Sequence, residues 1–309
     1  MNPMNQPLAY LNGTLLPADQ VSVPIYDAGF VLGASVTEQL RTFGGRLFRA
    51  ADHLARLNHS LEIVGIDPGV SIAQMQKSAE QLAAHNHALM AEGDDLGLAM
   101  FVTPGPFPTL APAGVSGPIV CFHTYPLPFG SWVEKYDQGE SLVVTDIQQV
   151  PPECWPRELK CRSRMHYYLA DQAARRIDPT ARAVMLDAAG DVMEASTANL
   201  LVYDGRSIVA PPVEKVLPGI SMAVIRELAE QENLGFEHRD IRPEEVAVAA
   251  EVLLTSTTMC LQPVVTFNGQ PIGDGQPGPI FRQLLAAWNN LVGLDIVAQA
   301  TKFASRPPM

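Results

Sequence analysis

Lysine is scarce in this 309-residue chain: it occurs only at Lys77, Lys135, Lys160, Lys215 and Lys302. Any chemistry that needs a lysine amine therefore has few places to reside. Arginine is missing altogether from position 57 to position 156, so a guanidinium that grips an anion must come from the flanks of that stretch or from the second half. Cys121, Cys154, Cys161 and Cys260 are the only cysteines; without C-x-x-C spacing they argue against a zinc site and suit a reducing compartment. No segment offers eighteen uninterrupted apolar residues, and the amino terminus lacks a basic stretch followed by an apolar run. The chain reads as cytoplasmic, neither exported nor inserted in a membrane. A net charge of −12 argues against a nucleic-acid surface, where affinity comes largely from neutralising phosphates. It does not argue against a local site for one phosphate group.

What is present suffices for large cores. With 47% apolar residues, one or two domains are expected from length. Short strands are predicted at 8–11, 35–43 and 46–48, turned at Asn12-Gly13 and Gly44-Gly45. Asp52 is a candidate cap for a helix carrying Leu54, Leu57 and Leu61, and a second helix fits about 71–92. Two apolar runs between 96 and 125 flank a proline-rich loop, and Pro126, Pro128, Gly130 and Gly139 mark a boundary. Beyond it the pattern predicts strands at 141–147, 183–187, 192–194, 199–203, 207–210 and 251–256. Helices are expected at about 163–176, at 220–233 with Gly235 as terminator, and near 279–291, with a hairpin turned at Asn268-Gly269. Strands and helices mix without a regular βαβ repeat, so the expected class is α/β with α+β character and mixed sheets.

Three features carry chemistry. Lys160 lies in Arg157-Glu-Leu-Lys-Cys-Arg-Ser-Arg164; its amine attacks an aldehyde only when neutral, and cationic neighbours favour that form. The plain alternative is a loop lysine among surface charges. Glu194 follows an apolar strand and precedes Ala195-Ser-Thr-Ala198; a carboxylate there would hold a pyridine nitrogen protonated, or simply face water at a hairpin end. Leu217-Pro-Gly-Ile-Ser221 opens a helix and Thr255-Ser-Thr-Thr258 follows a strand. Backbone N–H groups and hydroxyls of this kind suit a phosphate, or equally an ordinary capped helix and strand end.

Taken in order, Lys160, Glu194-Ala-Ser-Thr-Ala-Asn-Leu200, Leu217-Pro-Gly-Ile-Ser221 and Thr255-Ser-Thr257 resemble the class IV, or fold-type IV, pyridoxal-phosphate aminotransferases. That family includes branched-chain aminotransferase, D-amino-acid aminotransferase and aminodeoxychorismate lyase. Asp27-Ala-Gly29, Gly33, Glu38, Leu40-Arg41 and His53-Leu-Ala-Arg-Leu57 extend the likeness into the first half. The resemblance implies a homodimer of two-domain subunits, here 1–130 and 131–309, the second being the larger cofactor-binding domain. It implies pyridoxal 5′-phosphate as cofactor and amino and 2-oxo acids, branched-chain-like or D-configured, as partners. Lys160 resembles the Schiff-base lysine and Glu194 the partner of the pyridine nitrogen. Arg56, Ile220, Ser221 and Thr257 resemble the phosphate-binding set. Transamination is the expected reaction; elimination of the aminodeoxychorismate-lyase kind and a non-catalytic binding protein are the alternatives.

The departures concern the substrate. The family's tyrosine five positions after the lysine is Met165 here, and the Arg-Gly of D-amino-acid aminotransferase reads Pro104-Gly105. Arg157, Arg162 and Arg164 become the candidates for a carboxylate clamp. Arg164 is preferred because it falls four residues after Lys160, provided that this stretch is already helical.

Overall fold

A computed structural model of the chain describes residues 6–306. It divides into two units, one containing residues up to Leu127 together with Leu159–Ser163, the other Pro128–Glu158 with Arg164–Arg306.

The first unit contains β1 (Leu8–Leu11), β2 (Thr14–Pro17), the single-turn α1 (Ala28–Val31), β3 (Val36–Phe43) and β4 (Arg46–Leu47). After these come α2 (Ala50–Val64), α3 (Ile72–His87), β5 (Leu96–Thr103) and β6 (Ile119–Pro126). The strands form one antiparallel sheet in the order β2-β1-β6-β5-β3-β4. Asn12 and Gly13 both adopt positive φ, which is what a two-residue turn between right-twisting strands demands. Leu54, Leu57 and Leu61 of α2 and Met75, Ala79 and Leu82 of α3 pack on Leu40, Leu98, Met100 and Phe122 of the sheet. Because side chains alternate along a strand, the helices cover one sheet face.

The second unit contains α4 (Lys135–Gln138), β7 (Glu140–Val144), α5 (Met165–Ile177), β8 (Arg182–Leu186), β9 (Val192–Ala195), β10 (Ala198–Tyr203) and β11 (Ser207–Ala210). Then follow α6 (Ile220–Gln231), β12 (Gly235–His238), α7 (Pro243–Ala247), β13 (Glu251–Ser256), β14 (Cys260–Phe267), β15 (Gln270–Pro271), α8 (Pro279–Val292) and α9 (Ile296–Phe303). The nine-stranded sheet runs β12-β11-β10-β13-β14-β7-β8-β9, with β15 on β14. Since β9 also pairs with β10, strands β10, β13, β14, β7, β8 and β9 close into a barrel. Parallel pairs (β7 with β14 and β8, β11 with β12) sit among antiparallel ones, which gives the mixed sheet expected from the sequence. Val143, Ala183 and Met185 pack against Ala170 and Ala174 of α5 on the outer side. Leu142, Val184, Leu200, Val202, Leu254 and Val264 form a separate apolar cluster, placed by strand alternation on the opposite face, inside the barrel.

Some local expectations fail for identifiable reasons. Asp52 does not cap α2: the cap is Arg49, in left-handed conformation, and Asp52 lies in the first turn, 3.6 Å from the Arg49 guanidinium. The chain leaves β4 too abruptly for an extended cap residue. α6 ends at Gln231, where Asn233 supplies the left-handed residue at φ 58° and Gly235 instead starts β12. Asparagine tolerates that conformation well enough to replace glycine. The helix expected at about 71–92 stops at His87, and its start is fixed by the reciprocal Ser71–Gln74 capping bonds. α9, capped by Asp295, was not foreseen. No helix among the described residues is long and apolar enough to cross a membrane.

Asp95 anchors the β3–β4 hairpin of the first unit. Its buried carboxylate accepts bonds from the Thr42 hydroxyl (2.5 Å) and from the N–H groups of Gly44 and Gly45 (3.0 Å each). Asp95→Ala strands those donors and is expected to destabilise the first unit by about 1.5–3 kcal/mol. Urea denaturation followed by far-UV circular dichroism would measure it; an unchanged midpoint would refute the anchor.

Candidate active site

Lys160 is held in extended chain at the edge of β3. The Thr37 N–H donates to the Lys160 carbonyl (2.9 Å), the Arg162 N–H donates to the Ser35 carbonyl (3.0 Å), and Cys161 bridges Val36. The Lys160 N–H donates to the Ser60 hydroxyl at 3.1 Å, and the Ser163 hydroxyl donates to the Gly33 carbonyl at 2.7 Å. These bonds are why Leu159–Ser163 belongs to the first unit rather than to the carboxy-terminal region that contains it in sequence. They also remove the helical premise for Arg164, because α5 begins only at Met165 and Arg164 is its cap residue. In extended chain, positions i and i+2 share a side. Arg162 therefore sides with Lys160, its guanidinium carbon 5.5 Å from the centre of the Phe101 ring, whereas Arg164, at φ −116° and ψ 29°, has left the extended conformation.

Nearby in the same unit, β3 buries Glu38 against α2. Arg56 donates to both carboxylate oxygens, through Nε at 2.7 Å and Nη2 at 3.0 Å, and His53 Nδ1 lies 2.8 Å from Oε2. His53 and Arg56 are three residues apart and so face the strand together. Burial alone would raise the Glu38 pKa; the Arg56 charge and the His53 bond outweigh it and hold the carboxyl well below its ordinary range. Burial lowers the His53 pKa against the pull of Glu38. The group is thus an ion pair with a neutral imidazole, and Arg56 is fixed in place before any ligand arrives.

In the second unit the strand register assembles another group. Glu194 lies opposite Met185 on β8 and Asn199 on β10, and Asn199 lies opposite Thr255 on β13. All therefore share the outer barrel face with α5. Glu194 Oε1 accepts from the Tyr167 hydroxyl of α5 (2.6 Å) and from the Gln149 amide (2.7 Å). Tyr167 is pushed well above its ordinary pKa, first by burial and then by the Glu194 charge and bond, so it remains a donor. The Asn199 amide donates to the Leu217 carbonyl (3.0 Å), which pins the turn into α6. There Ile220 is the first helical residue, Ser221 is buried, and Gly219 at the cap has no side chain to occupy the terminal N–H groups. The Thr255 hydroxyl donates to the Cys260 carbonyl at 2.7 Å and closes the turn that contains Thr257. Arg157, only 8% exposed, has an Nε without a hydrogen-bond partner, and the Glu194 charge acts on it more strongly than any other anionic neighbour.

The match of Amino-transferase class IV to residues 35–267 takes in all of these residues. The chain belongs to the class IV aminotransferase family. It is 30% identical over 285 residues, 91% of this chain and 95% of the relative, to D-alanine aminotransferase of Bacillus licheniformis. It is 27% identical over 287 residues to branched-chain-amino-acid aminotransferase-like protein 1 of Arabidopsis thaliana, covering 92% of this chain and 50% of that protein. The branched-chain amino acid aminotransferase structure from Escherichia coli superposes with a TM-score of 0.85 at 22% identity, over 93% of this chain and 95% of that one. This likeness supports the two-domain, fold-type IV architecture.

The class IV fold implies pyridoxal phosphate, and the residues of the second unit fit it: a buried carboxylate held by two donors, a helix start without a side-chain cap and an unpartnered guanidinium nitrogen. The sequence reading had Lys160, Glu194, Arg56, Ile220, Ser221 and Thr257 in view. It missed Gln149, which sits in an irregular segment with no motif, and Tyr167. Tyr167 lies seven residues after Lys160, and only the packing of α5 on β8 and β9 reveals where it points. Met165, at the family's tyrosine position, is 68% exposed.

Protonation should loosen this fold. His166 is pushed down to about 4, first by burial and then by the Arg157 and Arg164 charges. A depressed pKa means that the neutral form is favoured by folding. The associated stability is complete above the ordinary 6.5 and is lost as pH falls toward 4. His53 acts with the same sign, and Glu38 extends the loss below the ordinary carboxylate range. The melting temperature is expected to drop steadily from pH 7 to pH 4, less steeply in His166→Asn. A melting temperature flat over that interval would contradict the burial assignments.

Proposed function

We propose that this class IV protein is a pyridoxal-phosphate-dependent aminotransferase that moves an amino group between an amino acid and a 2-oxo acid, working as a homodimer. The observation that carries the reading is the buried Glu194 carboxylate, clamped by Tyr167 and Gln149 on the barrel face that also presents the start of α6. Exposure of the large apolar side chains Ile25, Phe30 and Leu32 supports cover by a second copy.

Bound pyridoxal phosphate supplies the electron sink that makes the α-hydrogen of an amino acid acidic. Glu194 would accept the pyridine N–H and so hold the ring nitrogen protonated. Ile220 and Ser221 offer backbone N–H groups, with the Ser221 and Thr257 hydroxyls, to the phosphate, where the helix dipole favours negative charge. Arg56 adds a guanidinium whose direction is set by Glu38. Lys160 would hold the cofactor through its amine and, as a neutral amine, would take the proton from the substrate α-carbon.

Borohydride reduction of the loaded protein followed by peptide mapping should place the label on Lys160. Label on any of the other four lysines would remove that assignment. In half-reactions, amino donors should bleach the bound chromophore and 2-oxo acids restore it. Bleaching with no oxo acid able to restore it would favour the lyase reading.

The substrate carboxylate requires a cation or several donors, since burying it alone is prohibitive. The extended chain at Lys160–Ser163 favours Arg162 over Arg164 for this role. Arg162→Ala should raise KM for amino and oxo acids alike by about 10-fold or more, the loss of one charged hydrogen bond, with cofactor affinity unchanged. The reverse pattern, with KM rising only in Arg164→Ala, would return the role to Arg164.

A further inference from the structure

We propose that Arg157 is a cofactor-binding residue that donates from its guanidinium to the ring oxygen at C3 of pyridoxal phosphate. This rests on the cofactor reading above and extends it to a group that reading leaves unassigned.

The starting point is an anomaly of burial. Arg157 is 8% exposed, yet its Nε has no hydrogen-bond partner. Buried donors left unmatched are rare, and each is costly, more so when charged. An acceptor brought by a ligand resolves the cost. Electrostatics locates that acceptor: Glu194 is the foremost anion acting on Arg157, and Arg157 in turn is the foremost cation acting on His166. The Arg157 guanidinium is therefore within electrostatic reach of the Glu194 carboxylate.

The ligand's chemistry then limits the choice. In a pyridoxal ring a single carbon separates the nitrogen from the carbon that bears the C3 oxygen, so a ring whose nitrogen meets Glu194 carries an electron-rich oxygen on the same side of the ring. That oxygen needs a donor. Met165 cannot supply one, and the Tyr167 hydroxyl is committed to Glu194 at 2.6 Å. Arg157 has a donor to give. A substrate carboxylate is a poorer occupant, because it would bring a second anion against Glu194, and the substrate reacts at C4′ rather than at the nitrogen edge of the ring.

The test is a cycle between side chain and ligand. Dissociation constants are measured for pyridoxal 5′-phosphate and 3-deoxypyridoxal 5′-phosphate, with the parent and with Arg157→Met. The parent should prefer the natural cofactor by about 10- to 150-fold, the range of one charge-assisted hydrogen bond, and Arg157→Met should lose most of that preference. Retention of the full preference in the variant, or equal weakening toward both ligands, would overturn the proposal. If thermal melting shows that Arg157→Met does not fold, Arg157→Gln replaces it, removing the guanidinium charge together with Nε, and the same criterion applies. Failure of the parent to bind pyridoxal phosphate at all would instead refute the functional reading, which separates the two ideas.

Discussion

The pairing of β9 with β10 is the constraint on which the second unit depends. Across the Ser196-Thr197 turn, Ala195 meets Ala198 and Glu194 meets Asn199, and this short ladder closes the barrel. Closure settles two matters together. It turns one face of every strand into a sealed apolar interior, and it aligns Glu194, Asn199 and Thr255 across the outside. Thr197 accepts a positive φ of 63° in that turn, a conformation that costs a β-branched residue more than most. The polar row is then anchored at two of its members: Asn199 holds the Leu217 carbonyl, and Tyr167 and Gln149 hold Glu194. Slipping the register by one residue would send Glu194 inward and an apolar neighbour outward.

The first unit handles charge differently. Glu38 and Arg56 form a bidentate pair at almost no exposure, an arrangement whose desolvation cost is comparable to its Coulombic gain. Its contribution is better sought in geometry than in stability. A planar guanidinium locked along one edge cannot rotate away, and a neutral His53 completes the carboxylate's bonds without adding charge. The Lys160 segment is fixed with similar economy by backbone bonds to Ser35 and Thr37 and by the Ser60 hydroxyl. These bonds hold the backbone of that segment in one extended conformation.

Much of this was legible in the chain. Glycine and asparagine marked the hairpins at 12–13, 44–45 and 268–269, and strand and helix periods located most of the elements. The ordered set Lys160, Glu194, Gly219-Ile220-Ser221 and Thr257 pointed to the class IV family, which the match over residues 35–267 shows. Where local reading failed, a nonlocal bond had decided the outcome. The stretch after Lys160 carries helix-compatible residues, yet it is drawn into extended pairing with β3, and with that the argument from helical spacing for Arg164 disappears.

By itself, then, the sequence determined most element types, the mixed-sheet class and the family, because hydrophobic period, turn chemistry and motif order are local properties. Only the tertiary structure decided that Tyr167 and Gln149 share one oxygen of Glu194, that Glu38 mounts Arg56, and that Arg157 is buried with an unmatched donor. Those facts depend on barrel closure and on the packing of α2 and α5, which bring together residues 15 to 45 positions apart. No spacing along the chain encodes such meetings, since hydrogen-bond partners and burial are set by the surfaces that elements present to one another.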